Sequence, residues 1–188
     1  MRKMDSNASD MIPMRLIVSI AIIAAIATML AFGYINLNVV LSENYIEDEC
    51  RALESKLYTM SASGVARDVN EVNAAEGTKR VHTFNLPNNI VFLSFGIDPD
   101  SDNNGILESG LTDNGAVIFY KINGGSKKVI WLDEDFKFRE GRYDGDKWVI
   151  NGLGQGLIIK NPGTITLNFE YVEKSDKPYI LIQSNDGI

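Results

Sequence analysis

The residues best placed to do chemistry lie in one acidic loop, Asp98-Pro99-Asp100-Ser101-Asp102-Asn103-Asn104-Gly105-Ile106-Leu107-Glu108. Calcium takes hard oxygen ligands from a loop that bends sharply around it. Asp100, Asp102 and Asn104 hold the first, third and fifth positions of such a loop, with Gly105 at the sharp turn. The Ile106 carbonyl and the Glu108 carboxylate would then supply the seventh and ninth. Leu111 stands where a bidentate Glu closes a helix-loop-helix calcium hand, so that motif is not formed. Two readings follow: a structural calcium loop, or an acidic, solvated connection between strands.

Other candidate chemistry is sparse. The one histidine, His82, falls on a predicted strand, so no Ser-His-Asp constellation is read and His82 is taken as a satisfied or exposed strand residue. Gly152-Leu153-Gly154-Gln155-Gly156 lacks the G-x-G-x-x-G spacing and the following helix of a phosphate loop. Glu134, Asp135, Glu140, Asp144 and Asp146 include enough carboxylates for glycoside hydrolysis, but their spacing selects no pair. The single cysteine, Cys50, allows no intrachain disulfide and no thiolate-rich zinc site. No catalytic residue and no cofactor other than calcium is expected.

The elements that would carry these residues are mostly strands. Val81 to Leu86 and Ile90 to Phe95 flank Pro87-Asn88-Asn89 and read as a hairpin. Ala116 to Ile122 and Lys128 to Leu132 flank Asn123-Gly124-Gly125, whose residues accept the positive φ of a tight turn. Further strands are predicted at Trp148 to Ile150, Leu157 to Lys160, Thr164 to Val172 and Tyr179 to Gln183. In Thr164 to Val172, Ile165, Leu167, Phe169 and Tyr171 alternate with Thr166, Asn168 and Glu170, giving one core face and one wet face. Short strands with turn residues between them predict an antiparallel β-sandwich-like domain over 78–188.

Ahead of that domain, Ile46, Cys50, Leu53, Leu57 and Met60 recur at steps of four and three, the spacing of one helical stripe. A helical stalk over 42–77 is expected: one long helix running from the membrane to about Ser61 and ending near Ser61 to Gly64, then a second short helix within Val65 to Gly77, stopped by Gly77. The stripe must be covered, either by the chain's own β sheet or by a coiled-coil or filament partner. Upstream, Leu16 to Leu41 contains no charged residue. Roughly 20 apolar helical residues span a hydrocarbon core, so 16–41 reads as a transmembrane helix in contact with the lipid bilayer. Residues 1–15 form a leader carrying Arg2, Lys3 and Arg15, which places the N-terminus in the cytoplasm and the β domain outside the cell membrane. The net charge of -7 and pI near 4.7 argue against nucleic acid as a partner.

The basic leader, the Ile12-Pro13-Met14-Arg15-Leu16-Ile17-Val18 entry, the Ile/Ala-rich helix and the β-rich C-terminal region resemble archaeal type IV pilin-like membrane and secreted proteins. That resemblance implies an α+β pilin-like architecture, leader cleavage after a small residue, Ala8 here, and association with copies of itself or other pilin-like subunits. Pilins carry a Glu early in the mature helix, whereas no Glu precedes Glu43 here. The expected function is a pilin-like structural or interaction subunit. The alternative is a membrane-tethered binding module for a cell-envelope glycan or protein.

Overall fold

Helix α1 covers Ser6–Ser63, 58 residues, in the computed structural model, which describes residues 6–71, 73–108, 113–145, 147–150 and 155–184. The chain divides into two compact units, Met1–Val40 and Leu41–Ile188. In the first, every side chain from Met14 to Asn38 is exposed, although most are apolar. This is the one helix among the described residues long and apolar enough to cross a membrane, a property shared with signal segments. Ser19 donates its hydroxyl to the Arg15 carbonyl at 2.9 Å, and Thr28 donates to Ala24 at 2.8 Å, so both hydroxyls are satisfied inside the helix.

The second unit begins with the rest of α1. Ile46, Cys50, Leu53, Leu57 and Met60 are each at most 1% exposed. Their stripe is therefore covered within this unit, as the reading of a helix packed on its own β domain requires. The helix ends where the Gly64 amide donates to the Met60 carbonyl, and a Cβ on Gly64 would overlap that oxygen. This end falls within the expected stretch, Ser61 to Gly64; the 42–77 stalk is helical only to Ser63, because the second short helix expected within Val65 to Gly77 does not form among the described residues. Residues there make a two-residue strand, β1 (Arg67–Asp68), and turns. With Val65 bonded to Thr78 in both directions, the segment is tied to strand neighbours instead of to itself.

Nine further strands follow among the described residues: β2 (Lys79–Leu86), β3 (Ile90–Ile97), β4 (Asp113–Ile122), β5 (Lys128–Trp131), β6 (Lys137–Asp144), β7 (Lys147–Ile150), β8 (Leu157–Ile159), β9 (Gly163–Lys174) and β10 (Lys177–Ser184). One sheet of six strands has the order β1-β9-β10-β6-β7, with β2 also paired to β9; a second has the order β5-β4-β3-β8. The architecture is α+β, with a long N-terminal helix and mixed sheets. The six-stranded sheet is not purely antiparallel, since β10 pairs with β6, and β1 with β9, in parallel, whereas the four-stranded sheet is antiparallel throughout.

The expected β2–β3 hairpin is not formed. Ile90 closes a turn onto Pro87 at 3.0 Å, but β2 pairs with β9 while β3 pairs with β4 and β8. Burial explains the split. From Phe92 to Ile97 every side chain of β3 is buried, so β3 needs neighbours on both edges and cover on both faces; β2 alternates buried with exposed residues and suits a half-wet position. The Asn123-Gly124-Gly125 hairpin is present, with β4 antiparallel to β5 and Gly124 at φ 87°. Strand β6 was not expected from Lys137-Phe138-Arg139-Glu140-Gly141-Arg142, which carries charge on both faces.

Aromatic side chains from both sheets meet in the interior. The Phe95 ring lies 6.0 Å from Phe84, 5.6 Å from Phe138 and 6.0 Å from Phe169, the latter two edge-on. On the opposite face of the four-stranded sheet, Phe92, Val117 and Phe119 form a second cluster, covered in part by Leu107 from the acidic loop.

Candidate functional site

The alternation of β9 predicts a wet-face position for Glu170, yet it is 2% exposed. The correction comes from Arg67, 4% exposed, which β1 places beside β9. Arg67 Nε donates to Glu170 Oε1 at 2.8 Å and Nη2 to Oε2 at 2.9 Å, a bidentate fork. Nη2 also donates to the Trp148 carbonyl at 2.8 Å, and the Gly77 amide donates to Glu170 Oε1 at 3.1 Å. A buried ion pair is tolerated when its remaining donors and acceptors are met in this way. Two residues separated by 103 positions cannot be matched from local spacing; the nearest signal is an arginine inside an otherwise polar connecting segment.

This pair forms the floor of a cavity of about 310 Å³. Tyr143 on β6 and Trp148 on β7 form one side, their rings tilted by 59° with centroids 5.2 Å apart. Their juxtaposition follows from the β6–β7 register, which sets Tyr143 opposite Trp148. Glu76 and Lys79, joined by a 2.8 Å ion pair, stand on the other side with Ala74. Lys147 completes the lining, and its buried Nζ has no hydrogen-bond partner among the described residues. Among the described residues of the lining, three cations thus face two carboxylates, in a protein of net charge -7. Such a site can bind: it is concave, walled by aromatic rings, and supplied with a few fixed polar groups.

The chain matches no protein-family model, no curated protein and no solved structure.

The acidic loop is folded on its own hydrogen bonds and on two lysines. Asp100, fully buried, accepts from the Gly105 amide at 2.9 Å and from Lys121 Nζ at 3.0 Å. Those two donors hold its carboxyl below the usual carboxylate range. Asp98 accepts from Lys127 Nζ at 2.6 Å, and the same ammonium reaches the Asp100 carbonyl. Asp102 accepts from the Asn104 amide and side chain, and Asn104 accepts from the Ile106 amide at 2.6 Å. Glu108 is exposed, its amide bonded to the Pro99 carbonyl, which closes the loop at 2.8 Å. Among the described residues no three His, Cys, Asp or Glu side chains are grouped to hold a metal. A cation at Asp100 in this arrangement would have to displace Lys121.

Of the other candidate acids, Glu134 accepts a 2.8 Å hydrogen bond from Ser61, whereas Asp146 and most of the glycine-rich run, 152–154, lie outside the described residues. His82 is 5% exposed and partnered at both ring nitrogens: Nε2 to Glu49 Oε2 at 2.9 Å and Nδ1 to Lys56 Nζ at 3.1 Å. An ammonium can only donate, so Nδ1 accepts and Nε2 carries the proton. Burial and the Lys56 charge lower the His82 pKa, and Glu49 opposes them. Below about pH 6.5 the unfolded chain therefore binds a proton that the native ring refuses. Stability is expected to fall as pH drops from that value through the native pKa. His82→Gln is expected to flatten this part of the profile, measured as the urea midpoint against pH; an unchanged slope would count against the assignment.

Cys50 is fully buried on the α1 stripe, and burial pushes its thiol pKa far upward. A thiol that stays protonated and covered does not react. Labelling by a maleimide is expected only after denaturant unfolds the second unit, with no covalent dimer under oxidising conditions. Rapid labelling of native protein would contradict the packing.

Proposed function

We propose that the protein is a single-pass, membrane-anchored envelope subunit of pilin-like design, with its β domain outside the cytoplasm. The observation that carries this is the contrast along α1. Its stripe from Ile46 to Met60 is buried, whereas Leu16, Ile17, Ile20, Ile23, Met29, Leu30 and Phe32 are all more than half exposed. Apolar surface on that scale requires a nonaqueous partner, either lipid or the equivalent helices of other subunits. The satisfied hydroxyls of Ser19 and Thr28 support it, because in hydrocarbon an unpaired donor costs several kcal/mol. The 26 residues from Leu16 to Leu41 extend about 39 Å, against a hydrocarbon core of about 30 Å. A second reading, a tethered binding module, is supported by the cavity around Arg67 and Trp148.

Fractionation tests the anchor. Full-length protein is expected to sediment with membranes, resist alkaline extraction and dissolve in detergent. External protease should digest the β domain in intact cells, and a mass reduced by the first eight residues would mark pilin-like processing. A full-length chain that is soluble without detergent overturns the proposal.

A further inference from the structure

We propose that the cavity walled by Tyr143 and Trp148 binds a carboxylate-bearing sugar, a hexuronic acid unit of a polysaccharide. This rests on the binding-module reading and names its ligand class.

The charges in the lining identify the ligand's charge. Arg67 is committed to Glu170 and to the Trp148 carbonyl, and Lys79 is paired with Glu76. Lys147 Nζ is buried and has no acceptor among the described residues. An ammonium in that state is unfavourable unless it gains a counter-charge. Its flexible four-carbon stem lets it turn onto an acid that enters the cavity. A singly charged carboxylate matches one unmet ammonium. A phosphate dianion would bring a second negative charge toward the Glu170 and Glu76 carboxylates, which the lining leaves unbalanced.

The walls identify the rest of the ligand. Tyr143, 55% exposed, and Trp148 offer ring surface on which the C–H face of a sugar packs while its hydroxyls stay free to hydrogen bond. Glu76 and Lys79 provide an acceptor and donors at the rim. A volume of about 310 Å³ falls at the small end of ligand pockets, enough for one or two sugar rings.

The test uses full-length protein in detergent micelles carrying Trp131→Phe, which leaves Trp148 as the sole tryptophan. Digalacturonate, neutral galactobiose and galactose 1-phosphate are titrated while Trp148 emission is followed, with calorimetry on the same samples. Digalacturonate is expected to give a saturable change and to bind at least about tenfold more tightly than either other sugar. Lys147→Gln is expected to remove that preference without lowering the melting temperature, since it deletes an unpaired charge. Lys177→Gln, at the exposed start of β10, should leave binding unchanged. Equal binding of the charged and neutral disaccharides, tighter binding of the phosphate, or an unaffected Lys147→Gln overturns the uronic acid assignment but leaves a sugar-binding module. If no sugar perturbs Trp148, the assignment and the binding-module reading both fall.

Discussion

Glu170→Ala is expected to destabilise the second unit by about 3–5 kcal/mol, the range found when one partner of a buried ion pair is removed. The variant leaves the Arg67 guanidinium 4% exposed with no counter-charge, and it also strips the Gly77 amide of its acceptor. The charge, more than the lost contact, sets the size of the effect. Replacing both partners with apolar residues, as in Arg67→Met with Glu170→Leu, removes the uncompensated charge and is expected to recover most of the loss. Urea unfolding of the full-length protein in micelles, followed by tryptophan emission, gives both values. A loss below about 1 kcal/mol for Glu170→Ala would mean that the pair behaves like a solvated surface bridge and is not shielded as described.

Phe95→Ala is expected to have a loss of similar size, about 3–5 kcal/mol, because the vacated space is bordered by Phe84, Phe138 and Phe169. These rings come from three strands of the six-stranded sheet, so they cannot close on the gap without moving their backbones. Val117→Ala, in the smaller cluster on the far face of the four-stranded sheet, removes fewer atoms and should cost less. The ranking matters more than either figure. A Phe95→Ala variant no less stable than Val117→Ala would show that the two sheets are not held together at Phe95.

Local chemistry made several elements legible in the sequence. The 16–41 run, the α1 stripe and the Asn123-Gly124-Gly125 turn each depend on residues within one turn or one helix face, and each is present. What was missed depends on distant partners. Pro87-Asn88-Asn89 reverses the chain, but a reversal does not choose a strand's neighbour; the continuous apolar run of β3 does, by requiring β4 and β8 on its two edges. Glu170 sits at an alternating polar position, and only an arginine 103 residues earlier makes that position buried. The cavity shares this dependence. Its walls come from β1, β2, β6, β7 and β9, and Tyr143 belongs to a strand whose charged sequence gave no alternation to read. The acidic loop was legible as a turn-rich acidic segment, but the lysines that pair with it, Lys121 and Lys127, come from β4 and from the loop before β5.

The order of strands in the six-stranded sheet also constrains how the protein is made. Its two middle members, β9 and β10, are the last strands in chain order; β1 and β2 attach to one side of them and β6 and β7 lie on the other. During synthesis, the flanking strands leave the ribosome before the strands they are to join. Until β9 has emerged, as far as Lys174, β2 has no ladder partner among the described strands, and the apolar side chains that later face Phe169 remain open to misassociation. The flanking strands of this sheet therefore wait for β9 and β10, which places the burden of keeping the nascent chain soluble in the meantime on whatever binds it.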